Sequence, residues 1–206
     1  MPEAVLFLLP LMAAHLAAAA SPGPSFLLIA RTATAQGRQA AFWQCIGLGL
    51  GATIWAAAAL FGLTLLFEVA PWTLSVLRYA GAAFLIWIAL QLWRHADTPL
   101  GAEGSARTVT GPRANIRRGL LLQLANPKVS IFFGSVFVTL VPPGTSVTML
   151  TLLLGLIFLI EAAWYGSVTI FFAMPAMKKR YIAAKAWIDR LCGGVLGLLG
   201  LRLAIS

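Results

Sequence analysis

An apolar run from Ala4 to Ala30 is interrupted once, by Ser21-Pro22-Gly23-Pro24. Proline inside a helix removes a backbone donor and clashes with the preceding turn. The carbonyls of Ala18 and Ala20, four residues before the two prolines, therefore lose their helical partners. In hydrocarbon such groups must be satisfied by protein or by a wet cavity. Serine is also a favoured N-cap and proline a favoured first helical residue. Ser21-Pro22 thus predicts one helix ending and another beginning at membrane depth. The same grammar returns in a second apolar run, as Asn126-Pro127-Lys128.

Runs of spanning length occur at about 4–30, 40–67, 76–93, 119–141, 146–173 and 187–205. The 206 residues are 60% hydrophobic and only 10% charged, against roughly 45–50% and about 25% in soluble domains. A net charge of +9 invites a nucleic-acid partner, but the basic residues lie between apolar runs and form no solvated face. They read instead as a topology signal. Arg31 and Arg38, then Arg94, Arg107, Arg113, Arg117 and Arg118, then Lys178, Lys179, Arg180, Lys185 and Arg190 all fall on the odd connections. By the positive-inside rule both termini lie outside and the linker over 95–118 is cytoplasmic. The start Met1-Pro2-Glu3 lacks the basic region of a signal peptide, and none is expected. Cys45 and Cys192 sit in apolar context, so no disulfide framework is implied.

The two halves correspond. Pro22 is answered by Pro127, Gly51 by Gly155 and Gly62 by Gly166, each about 105 positions later. Three spans per half is an odd number, which inverts the second copy in the membrane, and inverted repeats with interrupted helices are a transporter signature. The expected fold is an all-α membrane protein of six transmembrane helices, arranged as two inverted three-helix repeats with broken first and fourth helices. The repeats cover 1–94 and 119–206.

Depth brings the breaks together. Pro22 lies nine residues before Arg31 and Pro127 nine after Arg118, so both sit about 13 Å from the cytoplasmic arginines, near the middle of a ~30 Å core. Each restarted helix presents N–H groups and partial positive charge there, from Ser25, Phe26 and Leu27 and from Lys128, Val129 and Ser130. Lys128 in a first turn opposes the helix dipole, which points to an anion such as a substrate carboxylate. Glu161 is an acidic residue deep in a span, where such groups usually face the bundle interior and carry function. It is expected to exchange the coupling proton and to pair with Lys128 when the site is empty. His15, seven residues before Pro22, shares its helix face and is a proton-shuttle candidate. Gln123 and Asn126 share a face as hydrogen-bond partners, while Trp55 and Tyr165 are aromatic substrate contacts. Gly47 and Gly51 in the second run, with Gly193 and Gly197 in the last, are small-residue stripes for close helix packing. No phosphate-binding loop, metal cluster or nucleophile elbow occurs, so no cofactor is expected and the chain does not read as an enzyme.

Ser21-Pro22-Gly23-Pro24, the glycine-rich second span, Tyr79-Ala80-Gly81-Ala82-Ala83-Phe84-Leu85-Ile86-Trp87 and Asn126-Pro127-Lys128 together resemble the lysine-exporter (LysE/RhtB) family over nearly the whole chain. The resemblance implies a multi-pass protein of the bacterial inner membrane that exports amino acids or related zwitterions, with proton antiport. Ser25, Trp55 and Val138-Thr139 depart from the family pattern, in which many relatives carry Asp or Asn, His, and Pro-Gln respectively. The expected partners are an amino-acid-like solute, the proton and the lipid bilayer, with homo-oligomerisation left open and no nucleic acid. An uncoupled channel for a small solute or ion is the alternative; a membrane enzyme using His15 and Glu161 ranks third.

Overall fold

The structure, a computed structural model, describes residues 7–69, 72–97, 111–142 and 144–205. The Met1-Pro2-Glu3 start and most of the expected linker, 98–110, lie outside these. Helix α1 is Leu8–Ala20, α2 Pro24–Ala35, α3 Arg38–Val69, α4 Trp72–Arg94 and α5 Pro112–Leu124. Then follow α6 Pro127–Ile131, a π-helical segment Phe132–Phe137, α7 Val138–Leu140, α8 Val147–Ala173 and α9 Pro175–Ile205. Helix α5 starts at Pro112, inside the stretch read as linker.

Both predicted breaks are present, each bending its helix pair by 56°. The first differs in register from the sequence expectation. The Ser21 N–H still bonds to the Ala17 carbonyl at 3.1 Å, so Ser21 closes α1 and does not cap α2. Gly23 takes the cap position and Pro24, not Pro22, is the first helical residue. The second break follows its sequence. Asn126 is extended, Pro127 opens α6, and the Asn126 side chain accepts from the Lys128 backbone N–H at 3.1 Å. Two helices and the two bent pairs have the length and composition of membrane spans among the described residues. Helix α9 carries Lys179, Arg180, Lys185, Asp189 and Arg190 within its length, a charge density that hydropathy alone does not assign to a span.

Helix α3 packs against α5 and α8, and α4 runs along α9. Glycine permits the first of these contacts. A Cβ on Gly47 would meet the Ile116 carbonyl oxygen, and one on Gly119 the Gln44 carbonyl oxygen. The backbones therefore touch where both helices lack side chains, as the small-residue stripe predicts. Gly193 plays the same part in α9, against Trp93 and the Ala89 carbonyl. Beside the breaks, one apolar cluster gathers Leu11 and Ala14 of α1, Leu85 of α4, Val136 of the π-helical segment, and Leu196 of α9. A π-helical turn inside an α-helix often marks a functional position; this one delivers Phe132 and Phe133 against the His15 ring, with centroids 5.8 and 5.6 Å away.

Candidate substrate and coupling site

The two breaks border one cavity of about 360 Å³. Ser21, Pro22, Gly23 and Pro24 line it from the first half, and Asn126, Pro127 and Lys128 from the second. Its volume lies at the lower end of the range for small-molecule sites. Phe84, Trp87, Ile88 and Leu92 of α4 and Ile131 of α6 supply an apolar wall. Gln91, His95, Lys185 and Asp189 complete the lining.

Lys128 joins the halves. Its Nζ donates to the Ala18 carbonyl at 2.9 Å, the Ser21 carbonyl at 3.0 Å and Ser21 Oγ at 2.9 Å. The carbonyl of Ala18, orphaned by Pro22, is thus answered by a cation from the opposite half. An ammonium has three hydrogens, and all three are used here. The expected pairing of Lys128 with Glu161 is therefore not made, because the broken backbone of α1 takes the charge first. Free N–H groups at the second restart are likewise not found: Asn126 accepts from Lys128 through its side chain and from Val129 and Ser130 through its carbonyl. At the first restart the Leu27 N–H is taken by the Gly23 carbonyl.

A second set of contacts crosses between the halves behind the cavity. Asn126 Nδ2 donates to Ser25 Oγ at 3.1 Å, and Ser25 Oγ donates to Gln123 Oε1 at 2.6 Å. Gln123 Nε2 in turn donates to Glu161 Oε2 at 3.4 Å, and Glu161 Oε1 faces His15 Nε2 at 3.6 Å. All five side chains are buried. His15, Gln123, Lys128, Glu161 and Tyr165 surround a small pocket of about 20 Å³, enough for one water. The Tyr165 hydroxyl lies 3.5 Å from the Ala19 carbonyl. Lys128 therefore borders both spaces, and the series of contacts that starts at Asn126 in the large one ends, through Ser25 and Gln123, on the buried carboxylate.

Most of the residues singled out by sequence line these two spaces: Ser21 to Pro24, Asn126 to Lys128, Gln123, Glu161, His15 and Tyr165; Ser25 lines neither but is bonded to Gln123 and Asn126. Trp55 does not. It packs on the apolar cluster and lines neither space. Sequence reasoning missed Lys185 and Asp189 as lining residues of the cavity, because Lys185 had been grouped with the charged connection before the last span. The i, i+4 spacing of these opposite charges was the available signal.

The LysE type translocator profile matches residues 16–206. The threonine efflux protein of Escherichia coli (strain K12) is 33% identical over 194 residues, covering 93% of this chain and 94% of that protein. The threonine efflux protein of Salmonella typhi is 32% identical over the same length. The leucine efflux protein of Enterobacter sp. (strain 638) is 29% identical over 188 residues, covering 86% and 83%. No solved structure matches the chain.

Proposed function

The chain belongs to the LysE type translocators, a family of transporters and not enzymes, and from that premise we propose that it exports an amino acid across the bacterial cytoplasmic membrane in exchange for protons. The observation that carries the proposal is the cavity shared by both helix breaks, with a buried carboxylate tied to it by side-chain hydrogen bonds. The relatives named for threonine and leucine efflux make a small zwitterion the solute of choice.

Six crossings in two inverted halves supply the mechanics. With the basic connections in the cytoplasm, α2 and α5 lie on the inner side of the breaks, and α1 and the π-helical segment on the outer side. The α4–α9 pair packs against α1 and the π-helical segment, while α4 with α5 and α9 with α2 make no comparable contact among the described residues. This asymmetry supports reading the conformation as inward-open. Rocking the α4–α9 pair to pack on α5 and α2 closes the inner side and opens the outer one, as repeat symmetry requires.

Substrate and proton act on the contacts between halves. A carboxylate arriving at the break competes with Ser21 Oγ for one hydrogen of Lys128, since charged acceptors bind an ammonium more strongly than a hydroxyl does. Ionised Glu161 accepts from Gln123 Nε2. When Glu161 takes a proton on Oε2, the oxygen that faces Gln123, that oxygen becomes a donor, and Gln123 turns Oε1 towards it and Nε2 towards Ser25. Ser25 then accepts from both Gln123 and Asn126, and its own hydrogen is released from the chain of contacts. Protonation is thereby felt at the break without a charge crossing the amides.

The test is counterflow and efflux in proteoliposomes with labelled threonine, leucine and a wider amino-acid panel. Wild-type protein is expected to concentrate label against its gradient when the proton gradient is directed into the compartment being emptied. Net efflux of equal size with and without a pH gradient, indifferent to Glu161→Gln, would identify an uncoupled channel instead.

A further inference from the structure

Six residues of α4 that line the large cavity, Phe84, Trp87, Ile88, Gln91, Leu92 and His95, recur at alternating steps of three and one, so they form one face of that helix. The Phe84 and Trp87 rings stack with centroids 5.9 Å apart and planes 23° from parallel, which makes a flat aromatic surface. Ile131 adds to the apolar lining from the other half, one turn after Lys128 on the restarted helix. Trp87 is 54% and Ile131 44% exposed, whereas Ile88 and Leu92 are buried. Trp87 and Ile131 are thus the wall residues least committed to packing within the protein. The charged groups of the lining are spent on one another. Lys185 Nζ donates to Asp189 Oδ2 at 2.6 Å and to the carbonyls of His95 at 3.0 Å and Ala96 at 3.1 Å, which uses its three hydrogens. Asp189 is only 2% exposed. A basic solute side chain would therefore meet no uncovered carboxylate among the described lining residues, and would lose hydration without compensation.

Lys128 fixes where the head of an amino acid sits. Gly23, which also lines the cavity, keeps space open beside that ammonium, since a Cβ there would stand 3.1 Å from Lys128 Nζ. The carboxylate and ammonium of an α-amino acid share one carbon, so both stay at the break and only the side chain extends further. Ile131 is three residues beyond Lys128, about 4.5 Å along the helix, within reach of a branched side chain. We infer that the solute is an amino acid with an uncharged, apolar side chain of leucine size or larger, and that Trp87 and Ile131 are the residues that select it. Threonine, shorter and hydroxylated, would cover less of the wall and bring a hydroxyl to be desolvated against hydrocarbon. The inference rests on the export reading above and narrows its solute from any small zwitterion to this class.

The experiment is equilibrium binding to the full chain purified in detergent, with leucine, phenylalanine, threonine, alanine and lysine as probes. Leucine and phenylalanine are expected to bind at least about 10-fold tighter than threonine or alanine, the discrimination that a methylene or more in an apolar pocket supplies, with lysine the weakest. Trp87→Ala and Ile131→Thr should each weaken leucine by about 4-fold or more, the worth of one buried methylene. Both should leave alanine unchanged, because its methyl stops short of the wall, and that value also certifies the folded cavity. Ile131→Thr should in addition narrow the gap between leucine and threonine. Threonine or lysine held as tightly as leucine in the wild type overturns the inference, as does a pair of variants that weakens all five probes alike or leaves leucine untouched. Wild-type protein that binds none of the five overturns the export reading itself along with it.

Discussion

Replacing Lys128 with methionine keeps the length of the side chain and removes the ammonium, which makes the consequences of the break measurable. The carbonyls of Ala18 and Ser21 lose donors at 2.9 and 3.0 Å. Each orphaned acceptor costs about 1–3 kcal/mol, and the Ser21 hydroxyl can turn to find another partner. Against this stands the relief of no longer holding a cation in a largely apolar site, worth several kcal/mol for a fully buried ion. Lys128 is only partly buried and borders an open cavity, so both sides of the balance are reduced by water. The expected net destabilisation is about 1–3 kcal/mol, or a fall in melting temperature of roughly 2–12 °C at about 2–4 °C per kcal/mol. Lys128→Arg should fall between, because a planar guanidinium fork cannot aim three hydrogens at acceptors placed for an ammonium. Thermal unfolding in detergent gives the first number and counterflow in proteoliposomes the second, where Lys128→Met is expected to be inactive. A Lys128→Met protein that melts with the wild type and exchanges amino acid at the wild-type rate would refute both the bridge between halves and the carboxylate contact.

Further outcomes follow from individual contacts. Wild-type efflux should rise as the external pH is lowered, since the proposed antiport brings protons in as solute leaves; Glu161→Gln should make efflux flat across the same pH range while sparing counterflow, which moves no net proton. Asn126→Ala removes the cap on α6 and the donor to Ser25, and should lower stability by about 1–2 kcal/mol in a thermal or denaturant melt. Gly47→Ala drives a methyl into the Ile116 carbonyl and should cost about 1–3 kcal/mol, with Gly62→Ala, which meets nothing within 4 Å, as the neutral or stabilising control.

What could be read from the chain alone was whatever follows from local chemistry. A proline lacks an N–H wherever it stands, so Pro22, Pro24 and Pro127 announced two interrupted helices. The small stripe at Gly47 announced a close helix contact, and Glu161 stood out because a carboxyl in hydrocarbon must find a use or a partner. The family resemblance had the same source, since its motifs are these same residues. Even so, the restart was legible only to within two residues: both Ser21-Pro22 and Gly23-Pro24 fit the rule for a helix start, and the choice fell to the second because Ser21 is held by α1 and by Lys128.

Which group answers which orphan was decided by the tertiary structure. Lys128 has a choice between a carboxylate and the opened backbone of α1, and only the 56° bends and the meeting of the halves put the Ala18 and Ser21 carbonyls within reach of its three hydrogens. The order Asn126, Ser25, Gln123, Glu161, His15 joins residues from three stretches far apart in sequence, so no spacing rule could anticipate it. Trp55 fell away from the site for the same reason, and Asp189 joined it. Local backbone chemistry determines where a chain must break, whereas the partner for each broken bond depends on distances that exist only once the helices have packed.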